Sequence, residues 1–178
     1  MRYLVLGIGN IMFADEGVGV HFVKLMQKNY TFHHPSASLE FMDGGTLAFQ
    51  LSYILADYDR LIIVDCLEAD DANIGDVFFF PYSAMPKKVS WSGSAHEIEM
   101  LQTLQFMELN GDLPQTQILA VIPKRIEPMS FKLSNELLKA IPLMQKTLLE
   151  YLSKEGFSYE KISDFSIQEL AEISYKNP

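Results

Sequence analysis

The sequence predicts an α/β domain of three layers, α/β/α. Short apolar runs alternate with segments of helical periodicity along most of its 178 residues. Such alternation places helices on both faces of a sheet. One run, Leu61-Ile62-Ile63-Val64-Asp65, is nearly continuous in apolar residues. That is the mark of a central parallel strand covered on both faces, because a strand with one wet face would alternate. Hydrophobic residues make up 48% of the chain, enough for one domain with a sizeable core.

In order, residues 2–8 read as a buried strand that breaks into glycine at Gly7 and Gly9. Glycine there allows close approach of backbone or ligand, since it lacks Cβ and tolerates positive φ. Residues 15–29 read as a helix with an apolar stripe of Val18, Phe22, Val23, Leu25 and Met26, and Asp15 as its N-cap. Residues 38–42 form a short strand ending at Asp43-Gly44-Gly45-Thr46, and 47–56 look helical. Residues 61–65 are the central strand; residues 76–81 are another, ended or placed at an edge by Pro81. A Pro-, Lys- and Ser-rich loop spans 82–95, a helix runs over 95–109, and 117–122 is the last strand. A helix over 130–152 is entered at Ser130 and bent near Pro142. We therefore expect a domain over 1–155. Residues 156–178, polar around one short helix at 166–174, are expected to be a C-terminal extension with the look of an appendage.

Bulk properties exclude several function classes. Twenty-three acids against 14 bases give a formal charge of −9, which opposes nonspecific nucleic-acid binding. No apolar run approaches the roughly 20 residues of a membrane span. The single cysteine, Cys66, rules out an internal disulfide and a cysteine-rich zinc site. With no basic-then-apolar leader at the N-terminus, the expected location is cytoplasmic.

Three potential metal ligands occupy comparable places. Glu16 lies in the first helical turn, Asp65 ends the central strand, and His96 opens the next helix behind a capping box of Ser94 and Glu97. Ligands of open α/β sheets gather outside the carboxyl ends of parallel strands. Glu16 and Asp65 share that rim, and His96 joins them if the 82–95 loop returns to it. Two carboxylates and one imidazole suit zinc, nickel or iron, with positions left open for water or substrate. The helix dipole opposes a cation, so weak metal affinity in the free protein is expected. Each residue also has a structural reading: Glu16 as helix-start preference, Asp65 as a loop cap, His96 as surface. The spacings, 49 and 31 residues, are not a metal signature. Asp43-Gly44-Gly45-Thr46 is a substrate-binding turn or a tight turn in which Asp43 bonds its own backbone. Cys66 is expected to be small and buried, His33 and His34 to lie in an exposed loop, and His21 to face solvent. Gly7-Ile8-Gly9 resembles the start of a dinucleotide fingerprint, but Met12 stands at its third glycine position.

These blocks, in order and joined by Ile122-Pro123 and Glu127-Pro128, resemble the hydrogenase maturation proteases over about residues 1–153. Those endopeptidases trim the C-terminus of the large subunit of nickel–iron hydrogenases. The resemblance implies a five-stranded mixed sheet of phosphorylase/hydrolase-like type, its fourth strand antiparallel, which suits 76–81 as the odd strand out. It implies that Glu16, Asp65 and His96 contact metal, and it makes Asp43 the candidate catalytic or supporting acid. It also implies that nickel is presented by the precursor of the large subunit rather than held at rest, with no organic cofactor. The expected cut follows a His or Arg in the substrate's C-terminal cysteine motif and releases a short tail. The competing readings are another metal-dependent hydrolase, or a nucleotide- or metal-binding accessory module on the Gly7/Gly9 turn.

Overall fold

The structure is a computed structural model that describes all residues except 47, 70, 86–94, 125–126 and 177–178, and all described side chains except those of 48, 95–99 and 175–176. The elements run β1 (Arg2–Ile8), a 3-10 turn (Ala14–Gly17), α1 (Val18–Asn29), β2 (Tyr30–His33), β3 (Ser38–Gly45) and a second 3-10 turn (Ala48–Leu51) that leads into α2 (Ser52–Leu55). They continue with β4 (Arg60–Cys66), β5 (Val77–Pro81), α3 (Ala95–Asn110), β6 (Gln115–Val121), α4 (Asn135–Lys154), β7 (Ser158–Lys161) and α5 (Ile167–Lys176).

The main sheet has five strands in the order β3-β1-β4-β6-β5. Four are parallel, and β5 alone runs antiparallel, against β6. The mixed five-stranded sheet is thus as expected, and the odd strand is the 76–81 segment. Successive side chains of a strand leave opposite faces, and the core divides accordingly. Tyr3, Val5, Ile62 and Val64 join α1 and α4 residues such as Phe22, Met26, Leu137 and Leu148. Leu4, Leu6, Leu61 and Ile63 join Leu55 of α2 and Met100, Leu104 and Met107 of α3.

Three local expectations are corrected: the start of the first helix, the start of α4 and the place of the C-terminal segment. The 15–29 helix is a 3-10 turn followed by α1, and Phe13 rather than Asp15 precedes the turn. α4 is entered at Ser134, whose Oγ accepts from Leu137 N–H. Ser130 cannot serve, because its N–H and C=O pair with Met12 and Ala14 in an isolated bridge. Pro142 lies inside α4, which runs on to Lys154. Finally, the expected appendage shares the main core: Phe157, Ile167 and Leu170 are buried in the cluster of α1 and α4. β7 also pairs with β2, two four-residue strands the sequence did not announce. Asn29, at the end of α1, anchors this segment: its Nδ2 donates to Phe165 C=O and its Oδ1 accepts from Phe165 N–H.

Candidate functional site

The carboxyl ends of the four parallel strands form one rim. Close backbone contact builds its floor. A Cβ on Gly19 would lie 2.1 Å from the Val64 carbonyl oxygen and 2.2 Å from that of Ile8, so α1 rests directly on β1 and β4. Gly9 has φ +142°, and a Cβ there would lie 1.9 Å from the Glu16 carbonyl oxygen. Only glycine fits either position. Together they draw the Ala14–Gly17 turn down onto the sheet, where it packs against the end of β4.

Glu16 is 3% exposed, and its Oε1 has no hydrogen-bond partner among the described residues. Buried carboxylate oxygens are normally satisfied, so an orphaned one points to a missing ligand. Asp65, 2% exposed at the end of β4, is oriented by its own chain: Oδ1 accepts from Cys66 N–H at 2.8 Å. Cys66 is buried, as expected.

The course of α3 decides where His96 can come. Tyr82, just past the end of β5, donates its hydroxyl to Glu108 at 3.5 Å, so the last turns of α3 lie at the amino end of β6. Sixteen helical residues span about 24 Å, close to the length of a seven-residue strand. α3 therefore runs back along the sheet in the direction of the rim that carries Glu16 and Asp65. His96 is its second residue; its side chain, Ser94, Glu97's side chain, and the loop residues Lys87, Lys88 and Trp91 lie outside the described ones. Among the described residues, no three His, Cys, Asp or Glu side chains converge as a metal cage.

Asp15 and Asp43 have different fates. Asp15 is fully buried and accepts from Ser134 N–H at 2.7 Å, Ser134 Oγ–H at 2.6 Å and Lys124 N–H at 3.0 Å. It fastens the turn that carries Glu16 to the start of α4. Asp43 accepts from Gly45 N–H at 3.0 Å through Oδ1, the tight-turn reading, and pairs through Oδ2 with Lys24 at 3.1 Å. It does not share the burial of Glu16: its side chain is 42% exposed.

His21 was expected at the surface and is fully buried, with neither ring nitrogen hydrogen-bonded among the described residues. Burial above all, then Lys24, lowers its pKa to about 4, against a smaller opposing pull from Asp43. The ring is neutral at pH 7. A Cβ on Gly17 would lie 3.1 Å from its Nε2. The signal was present, since His21 stands three residues after Val18 and four before Leu25, on the apolar stripe.

Comparison with known proteins agrees with this architecture. Residues 20–151 match the hydrogenase maturation protease (HycI) family. Protein HydD of Wolinella succinogenes is 41% identical over 158 residues, covering 88% of this chain and 99% of its own. The hydrogenase 2 maturation protease of Escherichia coli is 30% identical over 129 residues, covering 72% and 77%. The solved structure of the E. coli hydrogenase maturating endopeptidase HybD superposes with a TM-score of 0.81 at 28% identity, over 93% of this chain and all of that one. With a family match across most of its length and the same sheet beneath its rim, this chain belongs to the hydrogenase maturation protease family.

Proposed function

We propose that this hydrogenase maturation endopeptidase cuts a short peptide from the nickel-loaded precursor of the nickel–iron hydrogenase large subunit, with Glu16, Asp65 and His96 contacting the nickel. The observation that carries the reading is the buried Oε1 of Glu16, without a partner among the described residues, one strand away from Asp65 on the rim toward which α3 is directed. The donor set fits a borderline divalent metal, and it is sparse enough to need donors from the substrate. Nickel so held would polarise the scissile carbonyl. Glu16 and Asp65 lend negative charge at the rim, and one of them takes the proton of the attacking water. The Cys66 N–H keeps Asp65 oriented for either task. Asp43, with both oxygens already engaged, is a supporting acid that shapes its turn rather than a proton carrier. No helix among the described residues is long and apolar enough to cross a membrane. A cytoplasmic location and the absence of an organic cofactor are part of this reading.

The test mixes the protein with nickel-loaded and nickel-free precursor and follows mass. Loss of a short C-terminal peptide from the loaded form alone is expected. Cleavage of both forms overturns nickel recognition, and cleavage of neither favours the accessory-module reading.

A further inference from the structure

Behind the turn that holds Glu16 lies a cavity of about 520 Å³. Its side chains include Ile11, Met12, Val20, Met129 and Phe131, so its lining is mainly apolar. Gly9, whose Cα backs onto the Glu16 carbonyl, belongs to the same wall, so cavity and rim are continuous. The acid at its edge, Asp43, is engaged by Lys24 and by Gly45 N–H, and Ser174 donates its hydroxyl to Leu170 C=O. Neither offers an unsatisfied charge to an occupant.

Met129 in the wall, and Ala14 bonded to its neighbour Ser130, are held in strained conformations. Met129 has φ +59° and Ala14 has φ +53°, left-handed values uncommon for residues other than glycine. The bonds of Ser130 N–H to Met12 C=O and of Ala14 N–H to Ser130 C=O keep them there. α5 supplies the outer support. Gln168 donates from Nε2 to Phe131 C=O at 3.2 Å and accepts at Oε1 from Leu133 N–H at 3.0 Å. Strain maintained by surrounding bonds is typical of binding surfaces.

We propose that this cavity receives an apolar side chain of the tail that the enzyme releases, and that α5, through Gln168 and Ser174, is part of the apparatus that selects the precursor. The inference rests on the endopeptidase reading above. In that reading the chain upstream of the cut is tied to nickel on the β1–β4 side of the rim. The segment past the cut is the free tail, and the cavity, lined from the ends of β1 and β3, adjoins the rim across β1 from Asp65, within reach of that free segment. Its two exposed methionines, Met12 and Met129, adapt to several aliphatic shapes, and the lining disfavours a charge by offering it no free opposite one. Residues 156–178 then contribute to specificity through a wall of the substrate site.

The experiment has two arms on the full chain. In the first, the methionine methyl groups are isotopically labelled and the synthetic tail peptide is added without metal. The Met12 and Met129 signals shift with the natural tail and stay in place when its apolar residues are replaced by Asp. In the second, nickel-loaded precursors with natural and Asp-substituted tails are processed by wild type, Met129→Ala and Gln168→Ala, with melting curves confirming folded protein. Wild type prefers the natural tail by about tenfold or more in kcat/KM. Both variants narrow that preference and raise KM more than they lower kcat. If wild type processes both tails equally, or if the methyl signals ignore the peptide and the variants keep full selectivity, the subsite is overturned while the endopeptidase stands. If wild type processes no precursor at all, the endopeptidase reading fails, and this inference falls with it.

Discussion

Asp15 and Glu16 are neighbours in one short turn and both are buried, yet their surroundings are opposite. The Asp15 carboxylate accepts three hydrogen bonds from Ser134 and Lys124 and ties the turn to α4. The Glu16 carboxylate, a residue later, keeps a buried oxygen without a partner among the described residues. Burial alone therefore does not separate a structural acid from a functional one. The hydrogen-bond account does: a satisfied buried carboxylate holds structure, and an unsatisfied one awaits a ligand. Asp43 adds a third case, an exposed acid whose two oxygens are already taken.

The contrast makes graded predictions. The largest effect belongs to Asp15→Ala, which strands three donors in the interior and lowers unfolding free energy by about 4 kcal/mol in urea titrations. Activity per folded molecule should survive within a few-fold; a loss as great as that of Glu16→Gln would erase the distinction between the two acids. Next comes acid sensitivity from His21. Its pKa falls from 6.5 to about 4 on folding. Between those values the unfolded chain binds the extra proton, so its contribution is full above pH 6.5 and is lost as pH falls toward 4. The total is on the order of 3 kcal/mol, and His21→Leu should flatten that stretch of the stability–pH curve. A curve unchanged by the substitution would show that the ring is not the group responsible.

Glu16→Gln should then reduce processing of nickel-loaded precursor by about 100-fold while leaving the melting temperature within a few degrees of wild type. A variant that melts early instead would move Glu16 into the structural class with its neighbour. The smallest effect is Ser134→Ala, which removes the cap of α4 and one donor to Asp15. It should lower stability by about 1 to 2 kcal/mol without altering kcat.

Much of the architecture was legible in the chain. The Leu61–Asp65 run and the glycines after β1 announced a buried parallel sheet with an open rim, because strand burial and close approach are written in local composition. The sequence placed Glu16 and Asp65 on that rim, and the strands end there. It misplaced Asp15, His21 and the 156–178 segment. Asp15 finds its partners 109 and 119 residues away, a pairing that local pattern cannot display. His21 lies on a readable stripe, but its polarity argued for solvent until α1 proved to be buried over most of its first two turns. The tail's few apolar residues, Phe157, Ile167 and Leu170, are widely spaced and reveal their role only once α1 and α4 are in place.

By itself, the sequence determined the layer order and the carboxylates at the strand ends, since each follows from short-range periodicity and the steric freedom of glycine, whereas the antiparallel strand was implied only by the family resemblance. Only the tertiary structure decided which carboxylate is satisfied, which histidine is dry, and that a polar C-terminal segment forms a wall beside the rim. Those outcomes depend on which distant donors reach a given atom, and that is a property of packing in three dimensions.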